Sequence, residues 1–349
     1  MKILQTAPKA VSSTLPGATI EGVARKAGVS VATVSRAFHD STKLAGETRI
    51  KVIEAARAMG YYPRVVPNKR NKVAVIADPE ASLATDSYTA QLAGSLMEGL
   101  AERGLRVIFQ RAQSAAALDA LVEEGFFDAL AVLGGPVHAA AWNRPEGGSG
   151  LRAIAKRIPV LTLNFDLGAP MFCVASDHAQ GGRLAAEHLL AKRHKRLAYV
   201  SPGPEVRALT ERRSGFLAAA KEAGLEPLML AGEACALVDA LARVKRERCT
   251  ALALGYQQIT LPALRTLHLL GVRVPEDLSV AGFEQLNISA YTNPPLTTVR
   301  QPLLEMGARA AERIAELLTP DEPGVLRKAG KRAEVFDNEL VERESVRNA

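Results

Sequence analysis

Residues 19–38 read TIEGVARKAGVSVATVSRAF, and this stretch decides how the chain begins. Ile20, Val23, Ala24 and Ala27 recur at the spacing of one helix face. Thr19 stands ahead of them as an N-cap, whose hydroxyl can accept from an otherwise free amide. Gly28 supplies the positive φ at which a helix stops. Ser30 can cap a second helix, predicted over 31–38, with Val34, Ala37 and Phe38 as its apolar face. Two short helices joined by a Gly-containing turn of three or four residues form a helix-turn-helix. A third helix is predicted over 47–59, with Val52, Ala55, Ala56 and Met59 inward and Gly60 as its stop.

In such a motif the second helix lies in the major groove of DNA, with its N-terminal residues at the base edges. The outward residues here are Val31, Ala32, Thr33, Ser35 and Arg36. Arg36 can donate two hydrogen bonds to guanine O6 and N7, while Val31 and Ala32 suit a thymine methyl. Ser30, Thr33, Ser35 and His39 are expected on phosphates, which position without specifying. Thr19 is counted with the DNA-facing residues as well as being a cap.

The charge distribution points the same way. Residues 1–72 carry 13 Lys and Arg against 4 Asp and Glu, and the rest of the chain 31 against 33, so all of the net +7 arises at the N-terminus. A basic small module beside a near-neutral large one is the footprint of a nucleic-acid binder, because phosphate neutralisation supplies most non-specific affinity. Hydrophobic residues make up 48% of the 349 and charged ones 23%, the balance of a globular protein of two or three domains. No apolar run reaches the length of a membrane span. Residues 1–17 lack the apolar core of a secretory signal and read as a disordered arm. Cys173, Cys235 and Cys249 show no CxxC spacing, which fits a reducing cytoplasm better than a disulfide scaffold or a zinc site.

From residue 72 onward strands alternate with helices. Short apolar runs at 73–77, 107–109, 129–133 and 160–163 enclose an amphipathic helix at 92–103. A second series has runs at 196–200, 227–231, 251–254 and 279–282, with helices at 180–191, 212–223 and 259–271. Each series predicts a parallel, doubly wound sheet, and two such lobes in tandem predict a ligand cleft at the C-terminal ends of the strands.

AGVSVATVSRAF, followed by TRIKVIEAARAMGYYP, closely resembles the DNA-binding headpiece of the lactose-repressor family over nearly every position from 19 to 63. GGRLAAEHLLAKRHKRLAYVSPGP, ERRSGFLAAAKEAGL, VPEDLSVAGFE, PPLTTVRQPLLEMGARAAE and LVERES are similar to landmarks of the same family, so the resemblance spans the chain after the arm. It implies a helix-turn-helix domain over 18–63, a basic linker over 64–72, and over 73–349 a two-lobed core like the periplasmic binding proteins. The chain would cross between lobes three times, with lobe 1 at about 73–164 and 295–318 and lobe 2 at about 165–293 and 333–345. It also implies a homodimer on a palindromic double-stranded DNA operator.

Family members usually follow the headpiece with a hinge helix whose leucine wedges into the minor groove. Here that stretch reads RVVPNKRNK, and Pro67 would interrupt a helix. Arg70 stands roughly where the leucine would. The expectation is a weak or absent wedge, small operator bending, and Lys69, Arg70 and Lys72 tracking phosphates.

The resemblance also implies an effector pocket. Arg212, before Gly215 and Phe216, matches an arginine that holds ring hydroxyls in sugar-sensing relatives. Glu284 follows Gly282 and Phe283 where those relatives have Asp. Tyr256 and Gln257 replace an Asn-Asp pair, which removes a carboxylate. Asn164 follows the fourth strand, and Asp78, Tyr88 and Gln91 stand where the first strand opens into its helix. Such residues offer hydrogen bonds in both directions and aromatic faces, which suit a sugar-like small molecule, although the altered pair argues against a standard hexose and leaves a modified or acidic sugar, or no effector, as the alternatives. The six histidines are scattered, and neither HExxH, a P-loop nor GxGxxG after a strand is found, so neither enzyme chemistry nor a cofactor is expected. A ligand-responsive regulator, acting as a repressor, is the reading. A regulator without effector response, or a carrier or enzyme with an incidental basic head, are the alternatives.

Overall fold

In the computed structural model, residues 19–39, 46–59, 71–77, 87–111, 122, 126–133, 150–202, 207–232, 236–284, 288–318 and 332–349 are described. The arm, most of the linker with Lys69 and Arg70, Asp78, and the loop that holds Trp142 lie outside them. Two compact units divide at Arg70 and Asn71.

The first unit contains α1 (Ile20–Ala27), α2 (Val31–His39) and α3 (Gly46–Ala58). Their starts and stops follow the local chemistry. Thr19 is extended and accepts from the amide of Gly22 at 3.1 Å. Gly28 adopts φ 67°, and the next amide, on Val29, returns to the Ala24 carbonyl at 3.0 Å. The Ser30 hydroxyl accepts from the amide of Thr33 at 3.1 Å. The core is Val23, Ala24, Val34, Ala37, Val52, Ala55 and Ala56, with Ile20, Ala27, Val29 and Met59 around it. Arg49 adds a tie between α3 and α2 by donating to the Ala37 carbonyl at 3.4 Å.

The second unit is two six-stranded sheets, each flanked by helices. In lobe 1 the strands are β1 (Lys72–Ala77), β2 (Arg106–Arg111), β3 (Ala129–Leu133), β4 (Val160–Leu163), β5 (Phe172–Ser176) and β11 (Ala333–Phe336), in the order β11-β5-β4-β3-β1-β2. All its pairings are parallel. Lobe 2 has β6 (Leu197–Ser201), β7 (Leu228–Ala231), β8 (Ala251–Leu254), β9 (Ser279–Phe283), β10 (Thr297–Arg300) and β12 (Glu339–Val341), ordered β12-β10-β9-β8-β6-β7, with only β10–β12 antiparallel. The helices are α4 (Ser87–Glu102), α5 (Leu151–Ile154), α6 (His178–Ala191), α7 (Arg207–Glu222), α8 (Leu237–Arg246), α9 (Thr260–Leu269) and α10 (Leu303–Leu318). β3, β4, β6, β8 and β9 are buried along their whole length, as strands covered on both faces must be.

The lobe boundaries differ from the sequence expectation. β5 and β11 belong to lobe 1, and β10 belongs to lobe 2. The chain crosses between lobes after Ser176, at Gln301–Pro302 and at Asp337–Asn338. No strand was expected between 163 and 196; β5 forms there after a coil connection, parallel to β4 with Leu161 opposite Phe172, so lobe 1 extends to Ser176. The segment 333–345, expected wholly in lobe 2, supplies two strands, one to each sheet. Asn338 divides them, and its amide donates to Gln180 Oε1 at 2.9 Å. Lys72 is likewise not linker. Its amide and that of Asn71 donate to Asp128 Oδ2 at 2.9 and 3.0 Å, and it pairs with Arg106 at the start of β1.

Candidate functional site

The face of α2 that leaves the headpiece core carries the residues expected at DNA. Val31 is 42% exposed although apolar, and Ala32 and Arg36 are exposed beside it. Thr33 and Ser35 are half-buried at the edge of the same face. Arg36 Nε donates to the Ala32 carbonyl one turn back at 3.3 Å, so the guanidinium lies along the helix, and among the described residues nothing engages its two terminal amino groups. Ser30 and Thr33 share a hydrogen bond between hydroxyls at 2.8 Å, and Ser30 also caps the helix, so its phosphate-facing capacity is partly spent on the turn. His39 ends the helix, and its side chain lies outside the described residues.

In the second unit, Arg212 projects from the first half of α7. Two glycines fix its place. A Cβ on Gly182 of α6 would stand 1.8 Å from the Arg212 carbonyl oxygen, and one on Gly215 would stand 1.9 Å from the Ala179 carbonyl oxygen. The two helix backbones therefore touch, and Arg212 is carried to the cleft end of lobe 2. The side chain is only 3% exposed. Nη1 donates to the Gly255 carbonyl at 3.2 Å and to Gln257 Oε1 at 3.3 Å, and Nη2 donates to Gln301 Oε1 at 2.7 Å. The guanidinium lies over the Phe283 ring, 4.0 Å from its centroid. Gly255 can come so close because it packs on Tyr199: a Cβ there would meet the phenol oxygen at 2.0 Å.

Gln301, at the second crossing, extends this contact into lobe 1. Its Nε2 donates to Ser176 Oγ, at the first crossing. Ser176 in turn donates its amide to Asn164 Oδ1 at 3.0 Å and directs its hydroxyl to the same oxygen. Asn164 Nδ2 donates to the Tyr88 hydroxyl. Asn164 holds φ 66°, a left-handed conformation that Asn tolerates better than most residues. A continuous chain of hydrogen bonds thus runs from Tyr88 and Asn164 in lobe 1 to Arg212 and Gln257 in lobe 2. His178 lies by it at the start of α6, with its pKa pushed down to about 3 by burial and by the nearby charge of Arg212.

A cavity of about 500 Å³ opens beside Gln301, lined among others by Tyr88, Gln91, Glu284, Glu305 and Asp337. Glu284 borders the cavity, but its carboxylate is buried, Oε1 without a hydrogen-bond partner among the described residues and Oε2 engaged by the fold. Its Oε2 accepts from Thr298 at 2.6 Å and from Arg343 at 2.9 Å, so half of the carboxylate is committed to an internal ion pair. Tyr256 is partly buried against the lobe 2 core rather than lining this cavity. Of the expected pocket residues, then, Tyr88, Asn164, Arg212 and Gln257 are joined in one network, Glu284 borders it, and Asp78 is outside the described residues. Gln301 and Ser176 were not anticipated. Among the described residues no group of three or more His, Cys, Asp or Glu is placed to hold a metal ion, and no helix is long and apolar enough to cross a membrane.

Comparison with known proteins agrees with both units. Residues 19–64 match the family of bacterial regulatory proteins, lacI family, and residues 186–346 match the periplasmic binding protein-like domain. The HTH-type transcriptional regulator DegA of Bacillus subtilis (strain 168) is 31% identical over 83% of this chain and 88% of its own length. The chain belongs to the lacI family. Another relative of this lacI-family regulator is the HTH-type transcriptional regulator GalR of Escherichia coli (strain K12), 29% identical over 94% of this chain and 96% of GalR. Among solved structures, a lac repressor dimer bound to operator and the anti-inducer ONPF aligns with a TM-score of 0.76 and 23% identity, over 94% of this chain and 98% of that one. A transcriptional regulator CelR–cellobiose complex aligns at 0.64 with 26% identity, over 94% and 99%. The fold is that of the family: an N-terminal helix-turn-helix and two parallel-sheet lobes of the periplasmic-binding-protein type.

Proposed function

We propose that this lacI-family DNA-binding regulator is a cytoplasmic homodimeric repressor that reads a palindromic operator. Its operator affinity would be set by a small polyhydroxylated ligand between the lobes. The observation that carries the DNA half is the face of α2, where an exposed Val31 and Ala32 sit beside an Arg36 whose terminal amino groups nothing among the described residues engages. Arg36 contacts guanine, Val31 and Ala32 a thymine methyl, and Thr19, Ser30, Thr33, Ser35 and His39 the backbone, with Lys69 and Arg70 adding phosphate contacts from the linker. The cleft half rests on the network through Arg212, Gln301 and Asn164, with Tyr88, Tyr256, Gln257, Glu284 and Asp78 around the ligand. It is also supported by cobbled resemblance in architecture to a complex holding cellobiose. Ligand shifts the balance between lobe arrangements only by its differential affinity for them.

The test is selection of random DNA duplexes with the full chain and with Arg36→Ala. The expected result is a palindromic motif that loses its preference at one G·C pair in each half-site in the variant. Absence of any motif, or a motif unchanged by the substitution, would overturn the reading.

A further inference from the structure

Arg212 is a buried cation with no anion paired to it among the described residues. Every described group it touches is neutral: a backbone carbonyl, two glutamine amides and an aromatic ring. No carboxylate among the described residues lies within ion-pair distance of it, and its Nε is buried with no hydrogen-bond partner. Arginine cannot escape such a position by losing its proton, and an unpaired buried charge is among the most unfavourable features that a fold retains. Of the acids that line the neighbouring cavity, Glu284 is turned to Arg343 and Glu339 to Arg300, and neither Glu305 nor Asp337 forms an ion pair with Arg212. His178, close by, is held neutral by burial and does not alter the balance.

We propose that the ligand of this cleft is a polyhydroxylated carboxylate, a sugar acid, whose carboxyl group pairs with Arg212. The inference rests on the reading of the cleft as the ligand site and adds to it the charge of the ligand. The two oxygens of a carboxylate match the two terminal amino groups that now point to Gln257 and Gln301, giving a forked pair in a water-poor site. A single guanidinium balances the one negative charge of a carboxylate, whereas a phosphate ester brings nearly two. Asn164, Tyr88 and Ser176, now bonded to one another, would exchange those bonds for the ligand's hydroxyls, and Phe283 backs the arginine. In this arrangement Gln301 Oε1 and Gln257 Oε1 stand in for the ligand's oxygens until it arrives.

Two measurements on the full chain test the proposal together. The first is thermal unfolding with matched pairs: glucuronate and gluconate against glucose, galacturonate against galactose, and glucose 6-phosphate as the phosphate arm. A ligand that binds the native state raises Tm in proportion to the logarithm of its concentration over Kd. The acids are expected to raise Tm by several degrees at millimolar concentration while their neutral twins do not. The second is Gln257→Glu without ligand, which sets a carboxylate beside Nη1. It is expected to raise Tm by a few degrees and to abolish the response to the acids. The proposal is overturned if the neutral sugars do as well as their acids, if none of the acids shifts Tm, if only the phosphate ester does, or if Gln257→Glu lowers Tm. The last result would mean that Arg212 already has a counter-ion. Operator affinity, measured in parallel, separates this from the regulatory reading. An acid that raises Tm but leaves DNA binding unchanged keeps the charge assignment and sinks the regulation, and a neutral sugar that changes DNA binding does the reverse.

Discussion

Replacing Arg343 by Met should be one of the most damaging single changes to the second unit, and its cost should depend on pH. Arg343 donates to the Leu296 carbonyl at 2.6 Å, to Thr298 Oγ1 at 2.9 Å and to Glu284 Oε2 at 2.9 Å. The two charged side chains are 16% and 8% exposed. Removing one partner of a pair this buried leaves an uncompensated carboxylate, at about 3–5 kcal/mol. At about 2 °C per kcal/mol for a domain of this size, Tm should fall by roughly 6–10 °C. The sign of the pH dependence follows from Glu284. Burial is the largest influence on it and pushes its pKa up, but hydrogen bonds from Thr298 and Arg343, helped by the Arg343 charge, hold it below the ordinary 4.5. In the native protein the group therefore stabilises above its unfolded pKa, and that contribution is lost as pH falls through the lower folded value. In the variant burial prevails and the folded pKa rises above the unfolded one, so the penalty is full at neutral pH and relieved as Glu284 protonates on acidification. Urea unfolding at pH 7 and pH 5 should show the gap between the two proteins narrowing. Adding Glu284→Gln to the variant should restore most of the loss, with a coupling of 1 kcal/mol or more in the cycle, a figure of about the size seen for contacting residues. A gap equal at both pH values, or additive single substitutions, would refute the reasoning.

Three further changes probe other parts of the molecule. Gly182→Ala sets a methyl 1.8 Å from the Arg212 carbonyl oxygen and should cost about 3 kcal/mol or more, whereas Gly94→Ala, with nothing within 4 Å of its Cβ, should stabilise by about 0.5–1 kcal/mol; thermal unfolding of both reads the contrast. Thr19→Ala removes the acceptor for the Gly22 amide and should destabilise the headpiece by about 1 kcal/mol, seen as faster amide exchange in α1 with the second unit unchanged. Gln301→Ala cuts the path between Arg212 and Ser176, and the Ser176 amide, now held by Asn164, should exchange up to about tenfold faster.

What was legible in the sequence was local. The Thr19 cap, the Gly28 stop and the Ser30 cap each depend on a few neighbouring residues, and all three form as their chemistry requires. The strand cores of both lobes were legible for a similar reason, as short apolar runs covered on both faces. The lobe assignment of β5, β10 and β11 was not, because each is a four- or five-residue strand beside a lobe crossing, and its flanking residues do not say to which sheet it adds. The site divides along the same line. Arg212 and Glu284 could be singled out as charged residues next to Gly-aromatic pairs. That Glu284 is answered by Arg343, 59 residues away, could not be read from either neighbourhood. Gln301 gained its role only from lying at a crossing, which is a property of the topology and leaves no mark in its flanking TTVR and Pro302.

The position of Gln301 also bears on how strongly the two lobes are held together. The links it makes to Arg212 and Ser176 join different lobes, and at the third crossing Gln180 of α6 holds Asn338 between β11 and β12. Apart from the guanidinium's own contact these are neutral hydrogen bonds, each worth about 0.5–1.5 kcal/mol net. Lobe closure in the absence of ligand is therefore supported by only a few kcal/mol from these groups. Moving a two-state balance from 1:99 to 99:1 takes about 5.5 kcal/mol of differential binding. A charged, forked pair formed with Arg212 in one lobe arrangement and broken in the other, together with hydroxyl contacts to Asn164 and Tyr88, is of that size, whereas exchanging one neutral hydrogen bond for another is not. The Arg212 guanidinium, unpaired among the described residues, is thus the group in this network best able to make a small anionic ligand count in the balance between lobe arrangements.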